Sequence, residues 1–307
     1  MSRKDRIHVV FGVDQNYVPH AAVVVASMLA NAPTRSFGIH IIQTGAVSEA
    51  VRQLFEARFS ACAIHWYQFA TDSLDTVDLK LAPHVGVATF ARLKVPELLA
   101  VDRVIYLDAD LVVTGDIGGL WDADLEGRSL GAVVDAGVDP GAFAARHGLG
   151  AGQTPIYCNA GVMLLDLVQL RQNQLFEKAM AIVLERPQDL EHADQCALNM
   201  AFWNNWTSLD PVWNVQRPMA LGARAEIPLP AALLPLSRRW PGIIHYTTNR
   251  KPWLRTAYHP YAGAYWDYLA KTPFGNEVAA KSGVSLLRRT AWRARWWANA
   301  ARLKLAA

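Results

Sequence analysis

The 307-residue sequence has no run of about 20 apolar residues, which is the length that a membrane-spanning helix requires. Near its start, Asp14 follows only a short apolar stretch, unlike the core of a secretory signal peptide. The three cysteines, Cys62, Cys158 and Cys196, are far apart and show no CxxC spacing. These absences argue against a disulfide scaffold and a cysteine-based zinc site, and we expect reduced thiols in a cytoplasmic protein.

The sequence also lacks two kinds of glycine-rich phosphate-binding loop. No GxGxxG follows the first predicted strand, which disfavours a dehydrogenase that binds a dinucleotide. Residues 12–16, Gly-Val-Asp-Gln-Asn, have neither the glycines nor the basic residue that a nucleotidyltransferase uses on an attacking phosphate. The chain is 52% hydrophobic, which is enough for the core of one large domain or two small ones.

Acidic residues are missing from the end of the chain. All 27 of them lie at or before Glu277, whereas seven of the 30 basic residues follow it. The formal charge is therefore −4 for residues 1–280 and +7 for residues 281–307. Because the larger part offers no basic surface, the composition disfavours nucleic acid as a partner.

Short β-branched apolar runs alternate with segments of helical period in the first half. This alternation predicts an α/β fold, with a mostly parallel sheet flanked by helices. The predicted strands are Ile7–Val13, Gly38–Thr44, Ala63–Phe69, Arg103–Leu107 and Leu130–Val134. The predicted helices are Tyr17–Ala30, Ser48–Arg58 and Thr89–Leu99.

The second half of the chain is less regular. We predict strands at Asn159–Leu165 and Ile243–Tyr246, and helices at Leu170–Glu185 and Ala193–Trp203. The Gly- and Ala-rich stretch Ala136–Thr154 predicts a loop or lid, and Pro273–Gly283 predicts a linker. One domain would then cover residues 1–272, with a nucleotide-binding half to about residue 135 and an acceptor half from about residue 136.

Two carboxylates end the fourth predicted strand. Asp108 and Asp110 follow the apolar run 104–107, and residues i and i+2 of an extended chain point the same way. Both can therefore face one Mg²⁺ or Mn²⁺, which prefer oxygen ligands. Asp-x-Asp also occurs in solvated turns, but here apolar residues 111–113 follow, and an unpaired charge beside the core is costly.

His245 ends another short apolar strand and is a candidate nitrogen ligand, which would favour Mn²⁺ over Mg²⁺. The alternative is a hydrogen-bonded structural histidine. Both acidic motifs, residues 14–16 and 108–110, follow predicted strands. Ligands of an open α/β sheet bind beyond the carboxyl ends of its strands, so we expect the two motifs at one site.

Eight short motifs occur in order between residues 7 and 255. They are Phe11–Tyr17, Ala91–Lys94, Tyr106–Asp110, Leu120–Asp122, Asn159–Val162, Asp194–Asn199, Trp213–Asn214 and His245–Trp253. Each is a weak signal alone, but together they resemble the retaining glycosyltransferases of family 8, which include bacterial lipopolysaccharide galactosyl- and glucosyltransferases. The resemblance implies a single GT-A-type domain with a Rossmann-like sheet.

The resemblance also implies roles for side chains. It implies that Asp14 and Asn16 contact the uridine of a UDP-sugar, and that Lys251 neutralises the charge of the departing UDP. The implied ligands of Mn²⁺, or of Mg²⁺ in its place, are Asp108, Asp110 and His245. The side chains implied to bind the sugar are Arg92, Asp135, Asn159, Asp194 and Gln195, and the implied catalytic residues are Gln195, Asp194 and Lys251.

Retention of configuration is likewise implied by the family alone. Gln195 is expected nearest the reacting face of the sugar, and an amide is a poor nucleophile, so we favour a front-face route over a covalent intermediate. Two positions depart from the family pattern. Cys196 stands where a second acidic residue is common, and Thr248 stands in place of the usual glycine three residues after His245.

The predicted function is transfer of galactose or glucose from a UDP-sugar to a saccharide acceptor. We expect a lipopolysaccharide or another lipid-linked glycan, which would meet the loops around Leu79–Val87, Ala136–Thr154 and Thr247–Arg250. The alternative is a non-catalytic UDP-sugar-binding protein with the same fold. Every implied metal ligand is present, which favours the enzyme.

Residues 285–305 contain six Arg or Lys, three tryptophans and no acidic residue. With a helical period, Trp292, Trp296 and Leu303 fall on one stripe beside a stripe of arginines. Interfacial helices show this pattern, so residues 273–307 are predicted to be a tail that binds anionic lipids on the cytoplasmic face of the inner membrane. A helix packed on the domain and a nucleic-acid-binding arm are the competing interpretations.

Overall fold

The structure, a computed structural model, describes residues 6–72, 74, 77–79, 86–150 and 156–305. Ten strands form two sheets in this part of the chain. They are β1 Arg6–Val13, β2 Ser36–Thr44, β3 Ala63–Phe69, β4 Arg103–Leu107, β5 Leu111–Val113, β6 Leu130–Val134, β7 Cys158–Asp166, β8 Thr207–Ser208, β9 Val215–Gln216 and β10 Ile243–His245.

The α-helices lie on both sides of the larger sheet, together with short 3-10 helices such as Val87–Lys94. They are α1 Val18–Asn31, α2 Glu49–Arg58, α3 Val95–Leu98, α4 Gly118–Trp121, α5 Pro140–His147, α6 Leu167–Asn173, α7 Leu175–Glu185, α8 Ala193–Ala201, α9 Arg217–Leu221, α10 Ala262–Leu269, α11 Gly275–Ser282 and α12 Leu286–Leu305. No helix among the described residues is both long and apolar enough to span a membrane.

The larger sheet has the strand order β3-β2-β1-β4-β7-β6-β8. Its pairs are parallel except those that β7 makes with β4 and β6. Val9 and Phe11 of β1 pack in a core with α1, whereas Val10 packs in a second core on the other face. Burial on both faces explains why these strands are continuous apolar runs in the sequence.

The smaller sheet, β5-β10-β9, brings distant parts of the chain to the end of β4. β10 runs antiparallel to β5, with His245 opposite Leu111. The backbone N–H of Tyr246 donates to the carbonyl of Asp110 at 3.0 Å. This pairing sets His245 beside the Asp-x-Asp motif.

The α/β fold and the predicted strands are confirmed, but some local predictions are wrong. Thr89–Leu99 is a 3-10 helix followed by the short α3, and Leu170–Glu185 is divided between α6 and α7. Ala136–Thr154 is not only loop, because Asp139 accepts hydrogen bonds from two backbone N–H groups and starts α5. Residues 151–154 of that prediction, and residues 80–85 of the predicted acceptor loop 79–87, lie outside the described residues.

The predicted linker Pro273–Gly283 contains α11, and the tail packs on the domain. The predicted stripe of α12, Trp292, Trp296 and Leu303, is buried against the body of the protein, so it cannot face lipid. A Cβ at Gly263 of α10 would lie 2.1 Å from the Trp292 carbonyl oxygen, which shows how closely α10 and α12 approach. Helix α12 is amphipathic because one of its faces packs in the core of the domain.

Candidate active site

A cleft of about 730 Å³ opens beyond the carboxyl ends of β1 and β4, where the sequence predicts the site. Ten of the eleven predicted site residues line it. They are Asp14, Arg92, Asp108, Asp110, Asp135, Asn159, Asp194, Gln195, His245 and Lys251. Asn16 is an exposed turn residue outside these walls, and its contact with uridine stays a prediction.

Three ligand-type side chains converge at one end of the cleft. One ligand atom each from Asp108, Asp110 and His245 lies within 4.8 Å of the other two. His245 Nε2 is 3.4 Å from Asp110 Oδ1 and 3.8 Å from Asp108 Oδ2. Two carboxylates and one imidazole nitrogen are a donor set that suits a divalent first-row cation.

The tautomer of His245 fits this role. Its Nδ1 lies 2.9 Å from the Asn214 side-chain oxygen, while the Asn214 amide nitrogen donates to the Asn159 oxygen at 2.9 Å. Because the Asn214 amide nitrogen is used as a donor, its oxygen accepts the proton of Nδ1. The Nε2 lone pair then faces the carboxylates, as a metal ligand requires.

Two further observations test whether a cation fits. Asp110 Oδ1 is buried and has no hydrogen-bond partner among the described residues. A bound cation would give this oxygen the partner that a buried polar atom requires. A Cβ at Gly161 would lie 2.3 Å from His245 Cε1 and 2.8 Å from Asp108 Oδ2. Any larger residue at position 161 would displace these two ligands. The three ligand side chains and Gly161 therefore fit a metal ion.

Lys251 lies against the same carboxylate. Its ammonium group contacts Asp110 Oδ2 and donates to the carbonyl of Tyr246 at 2.9 Å. Burial alone would raise the pKa of Asp110, but the neighbouring ammonium group of Lys251 holds that pKa well below its ordinary value. Asp110 is thus ionised and able to bind a cation.

Arg92 links the three candidate metal ligands to Asp194. Its Nη2 donates to Asp108 Oδ1 at 2.8 Å, and its Nε lies 2.8 Å from Asp194 Oδ2. Its Nη1 donates to the Ala160 carbonyl at 2.6 Å, and the guanidinium lies 4.6 Å from the Tyr106 ring centroid. Burial lowers the pKa of Arg92, but the two carboxylates outweigh it and raise that pKa. The structure thus shows Arg92 holding two site carboxylates, while its contact with sugar stays a prediction.

The other end of the cleft is lined by amides around one carboxylate. Asp135 Oδ2 accepts from the Asn159 amide at 2.8 Å and from the Gln195 amide at 3.1 Å. Asp135 Oδ1 accepts from the backbone of Gly137, and the Gln195 oxygen accepts from the backbone of Ala160. These bonds fix the donors and acceptors in one arrangement.

Cys196, one of the two departures from the family pattern, is buried and does not line the cleft. Its sulfur accepts from the His192 backbone N–H at 3.2 Å and lies 3.4 Å from the Tyr157 hydroxyl. The Gln195 amide nitrogen also lies 3.4 Å from that hydroxyl. Tyr157, which is itself in contact with Cys196, therefore helps to hold the Gln195 side chain in position.

Thr248, the other departure, lines the cleft with φ of +69°. This left-handed conformation suits glycine and is unfavourable for a β-branched residue. The backbone here thus has the shape that glycine allows, although the side chain is threonine. The substitution adds a methyl group and a hydroxyl, which accepts from the Arg250 backbone N–H at 3.3 Å, at the cost of local strain.

Sequence reasoning assigned no role to three residues that shape the site. Asn214 fixes the His245 tautomer, the Thr89 hydroxyl donates to Asp194, and Tyr157 supports Gln195. Asn214 does fall in one of the eight motifs, which was the available signal. Thr89 and Tyr157 carry no local signal, because their partners lie 105 and 38 residues away.

A mostly parallel α/β sheet with two carboxylates, a histidine and a lysine at its strand ends, beside an amide-lined pocket, defines a class of metal-assisted group-transfer enzymes. Within that class, the chain belongs to glycosyl transferase family 8, whose model matches residues 8–257.

Similar proteins come from several bacteria. The chain is 29% identical over 290 residues to General stress protein A of Bacillus subtilis, covering 88% of this chain and 96% of that protein. It is 27% identical to the lipopolysaccharide 1,2-glucosyltransferase of Escherichia coli, covering 92% of this chain and 84% of that protein. The crystal structure of the galactosyltransferase LgtC with donor and acceptor sugar analogues superposes with a TM-score of 0.74 at 24% identity, covering 94% of this chain and all of that one.

Proposed function

We propose that this enzyme transfers galactose or glucose from a UDP-sugar to a saccharide, with retention of configuration and with Mn²⁺ bound by Asp108, Asp110 and His245. The observation that carries the proposal is the juxtaposition of this metal-ligand triad with an amide-lined pocket in one cleft. A neutral histidine among the ligands favours Mn²⁺ over Mg²⁺. The relatives named above include a glucosyltransferase and a galactosyltransferase, and both sugars are therefore candidates.

The ionisable groups suit a departing diphosphate. A divalent cation would supply charge stabilisation for the UDP that leaves. Lys251 is buried beside Asp110, and its ammonium group is placed to pair with a diphosphate oxygen when that carboxylate is engaged by a cation. Asp14, at the end of β1, also lines the cleft and would bind the uridine with Asn16.

The sugar would occupy the pocket formed by Asp135, Asn159 and Gln195. Its hydroxyls would exchange hydrogen bonds with these fixed groups, and a wrong epimer would leave one of them unpaired. Burial of Cys196 removes that position as a nucleophile, and Asp135 already accepts two side-chain hydrogen bonds. We therefore favour the front-face route, in which the departing UDP oxygen accepts the proton of the acceptor hydroxyl. Trapping of a covalent glycosyl-enzyme would contradict this route.

The outer face of α12 supports peripheral association with the cytoplasmic face of the inner membrane. Leu286, Leu287 and Trp297 are 70%, 81% and 57% exposed, respectively. Exposed alanines lie between them, and arginines flank this outer face on both sides. Apolar residues between cations are the arrangement of an interfacial helix. Placed there, the cleft would act on a lipopolysaccharide or another lipid-linked glycan.

The first experiment measures hydrolysis of a panel of UDP-sugars with and without Mn²⁺. We expect metal-dependent release of UDP from one sugar, lost in Asp108→Ala and Asp110→Ala and kept in Asp124→Asn, an exposed aspartate outside the cleft. Binding without turnover, even with lipid-linked acceptors, would favour the non-catalytic alternative. No binding of any UDP-sugar would refute the proposal.

Membrane association needs surface substitutions, because removing residues 282–307 would also strip Trp292, Trp296 and Leu303 from the core. We expect the double variant Leu287→Gln/Trp297→Gln to lose binding to vesicles of phosphatidylglycerol. Leu184→Gln, which changes an exposed leucine on α7, is the matched control and should bind like the wild type. Equal binding of all three proteins would contradict the proposed orientation.

A further inference from the structure

A second, smaller groove of about 270 Å³ lies between α10, α11 and α12, away from the catalytic cleft. Its polar side chains are Thr272, Asn276, Arg289, Thr290 and Arg293. The Thr272 hydroxyl already donates to the Leu269 carbonyl at 2.8 Å, so the groove presents the Thr290 hydroxyl, the Asn276 amide and the two guanidinium groups as donors. None of these side chains takes part in the catalytic cleft.

The two arginines of the groove differ in their partners. Arg293 donates to the buried carboxylate of Asp267 at 2.7 Å, so its charge is already balanced. Arg289 has no acidic partner among the described residues, and its Nε is buried without an acceptor. The guanidinium of Arg289 lies 5.1 Å from the ring centroid of Trp266, which holds it in place. Arg289 thus brings to the groove a positive charge that no acidic side chain balances.

The surroundings of Arg289 favour an anion. The groove also includes Gly275 and Asn276, the first two residues of α11, whose amino-terminal end carries partial positive charge. The acid in that first turn, Glu277, is paired with Lys281 at 2.6 Å. An arginine fork with a neighbouring hydroxyl donor, here that of Thr290, is the chemistry that binds a phosphate group.

We propose that this groove binds the phosphate group of an anionic lipid headgroup. Leu286, which lines the groove, and the adjacent Leu287 are the most exposed large apolar residues in the described chain. With these leucines inserted in the interface, the groove lies at the depth of the lipid phosphates. The inference rests on the membrane association proposed above. It adds one specific site for a lipid headgroup to the general attraction between the arginines of α12 and anionic lipids.

The test compares two charge-matched variants, Arg289→Gln and Arg295→Gln. Arg295 is exposed on the same helix and does not line the groove. Loss of one surface charge should weaken binding to phosphatidylglycerol vesicles about 5-fold. We expect this for Arg295→Gln, and a loss about 10-fold greater for Arg289→Gln, because the latter also loses the bidentate phosphate contact. Equal losses would overturn the groove while leaving membrane association intact.

A third variant and a soluble probe complete the experiment. Thr290→Ile fills the groove without changing the charge, and it should weaken vesicle binding while thermal unfolding shows that the fold is kept. Inorganic phosphate and glycerol phosphate distinguish a soluble ligand from a lipid. If either raises the unfolding temperature of the wild type but not of Arg289→Gln, the groove also takes free phosphate. If the wild type binds neither vesicles nor phosphate, the groove proposal is wrong, whereas UDP-sugar hydrolysis still tests the proposed enzyme.

Discussion

The two ends of the cleft hold their carboxylates in different ways; one end, the metal end, has the candidate metal ligands, and the other, the sugar end, is the proposed sugar pocket. At the metal end, Asp108 and Asp110 are balanced by the cations of Arg92 and Lys251. At the sugar end, Asp135 is satisfied by the neutral amides of Asn159 and Gln195.

Each arrangement suits a different task. Charge balance at the metal end can be redistributed when a cation and a diphosphate enter, since each brings the charge that the other needs. The sugar end offers fixed hydrogen bonds, which would read the positions of hydroxyls. We therefore expect the two ends to fail differently when changed.

The largest effect is expected at the metal end. Asp110→Asn removes a ligand and leaves Lys251 buried without its partner carboxylate, so activity should fall about 1,000-fold. Mn²⁺ binding, followed by electron paramagnetic resonance, should be lost as well. Asp124→Asn should change neither quantity, and an Asp110→Asn enzyme with normal Mn²⁺ affinity would remove Asp110 from the ligand set.

A smaller effect is expected at the sugar end. Gln195→Ala removes hydrogen bonds to Asp135 and to the backbone of Ala160, and kcat should fall about 100-fold. The comparison predicts unchanged Mn²⁺ affinity, because Gln195 has no contact with the metal ligands. If Mn²⁺ affinity falls together with kcat, the two ends are not independent.

Asn214 lies between the two ends, since it contacts both His245 and Asn159. Asn214→Ala releases the His245 tautomer and should lower metal affinity 10- to 100-fold, the usual size of such effects. Activity should then recover at high Mn²⁺ concentration, which distinguishes weak metal binding from a damaged sugar pocket. No recovery at saturating metal would place the role of Asn214 in the sugar pocket instead.

The smallest expected effect concerns stability and lies outside the cleft, at His40 of β2. Burial, assisted by His8 and His65, lowers the pKa of His40 to about 3, whereas the unfolded chain has an ordinary value of about 6.5. The unfolded state therefore binds the proton first, and stability that is complete above about pH 6.5 is lost as the pH falls toward 3. Between pH 6.5 and 5 we expect His40 to cost about 1.5 kcal/mol of unfolding free energy.

Urea unfolding of the wild type and of His40→Gln at these two pH values measures that difference. The wild type should lose more stability than the variant, because the variant lacks the buried imidazole that gains a proton on unfolding. Equal pH dependence would show that His40 does not cause the acid sensitivity.

The order of strands and helices along the first half could be read from the sequence, because strands buried on both faces must be apolar runs. The register that brings Leu111 opposite His245 could not, since β5 and β10 are three residues long and lie far apart in the chain. The resemblance to family 8 supplied that link between distant motifs. Asn214 and Tyr157 were left without roles because a polar residue next to an apolar run has no local sign of its partner.

The tail also shows a limit of prediction from the sequence. Its composition predicts an amphipathic helix, and α12 is one. A helical period identifies an apolar stripe, but it does not say whether that stripe meets lipid or protein. The close packing of α12 against Gly263 of α10 shows that the stripe meets protein. The candidate lipid-facing residues are therefore the exposed Leu286, Leu287 and Trp297.

Local pattern and composition were enough to predict the α/β class, the positions of the strand-end carboxylates and the separation of an acidic body from a basic tail. The His245 tautomer, the sharing of Arg92 between two carboxylates and the burial of Trp292 and Trp296 became visible only in the folded chain. Protonation, pairing and burial of a side chain depend on its neighbours, and folding brings those neighbours together from distant parts of the chain.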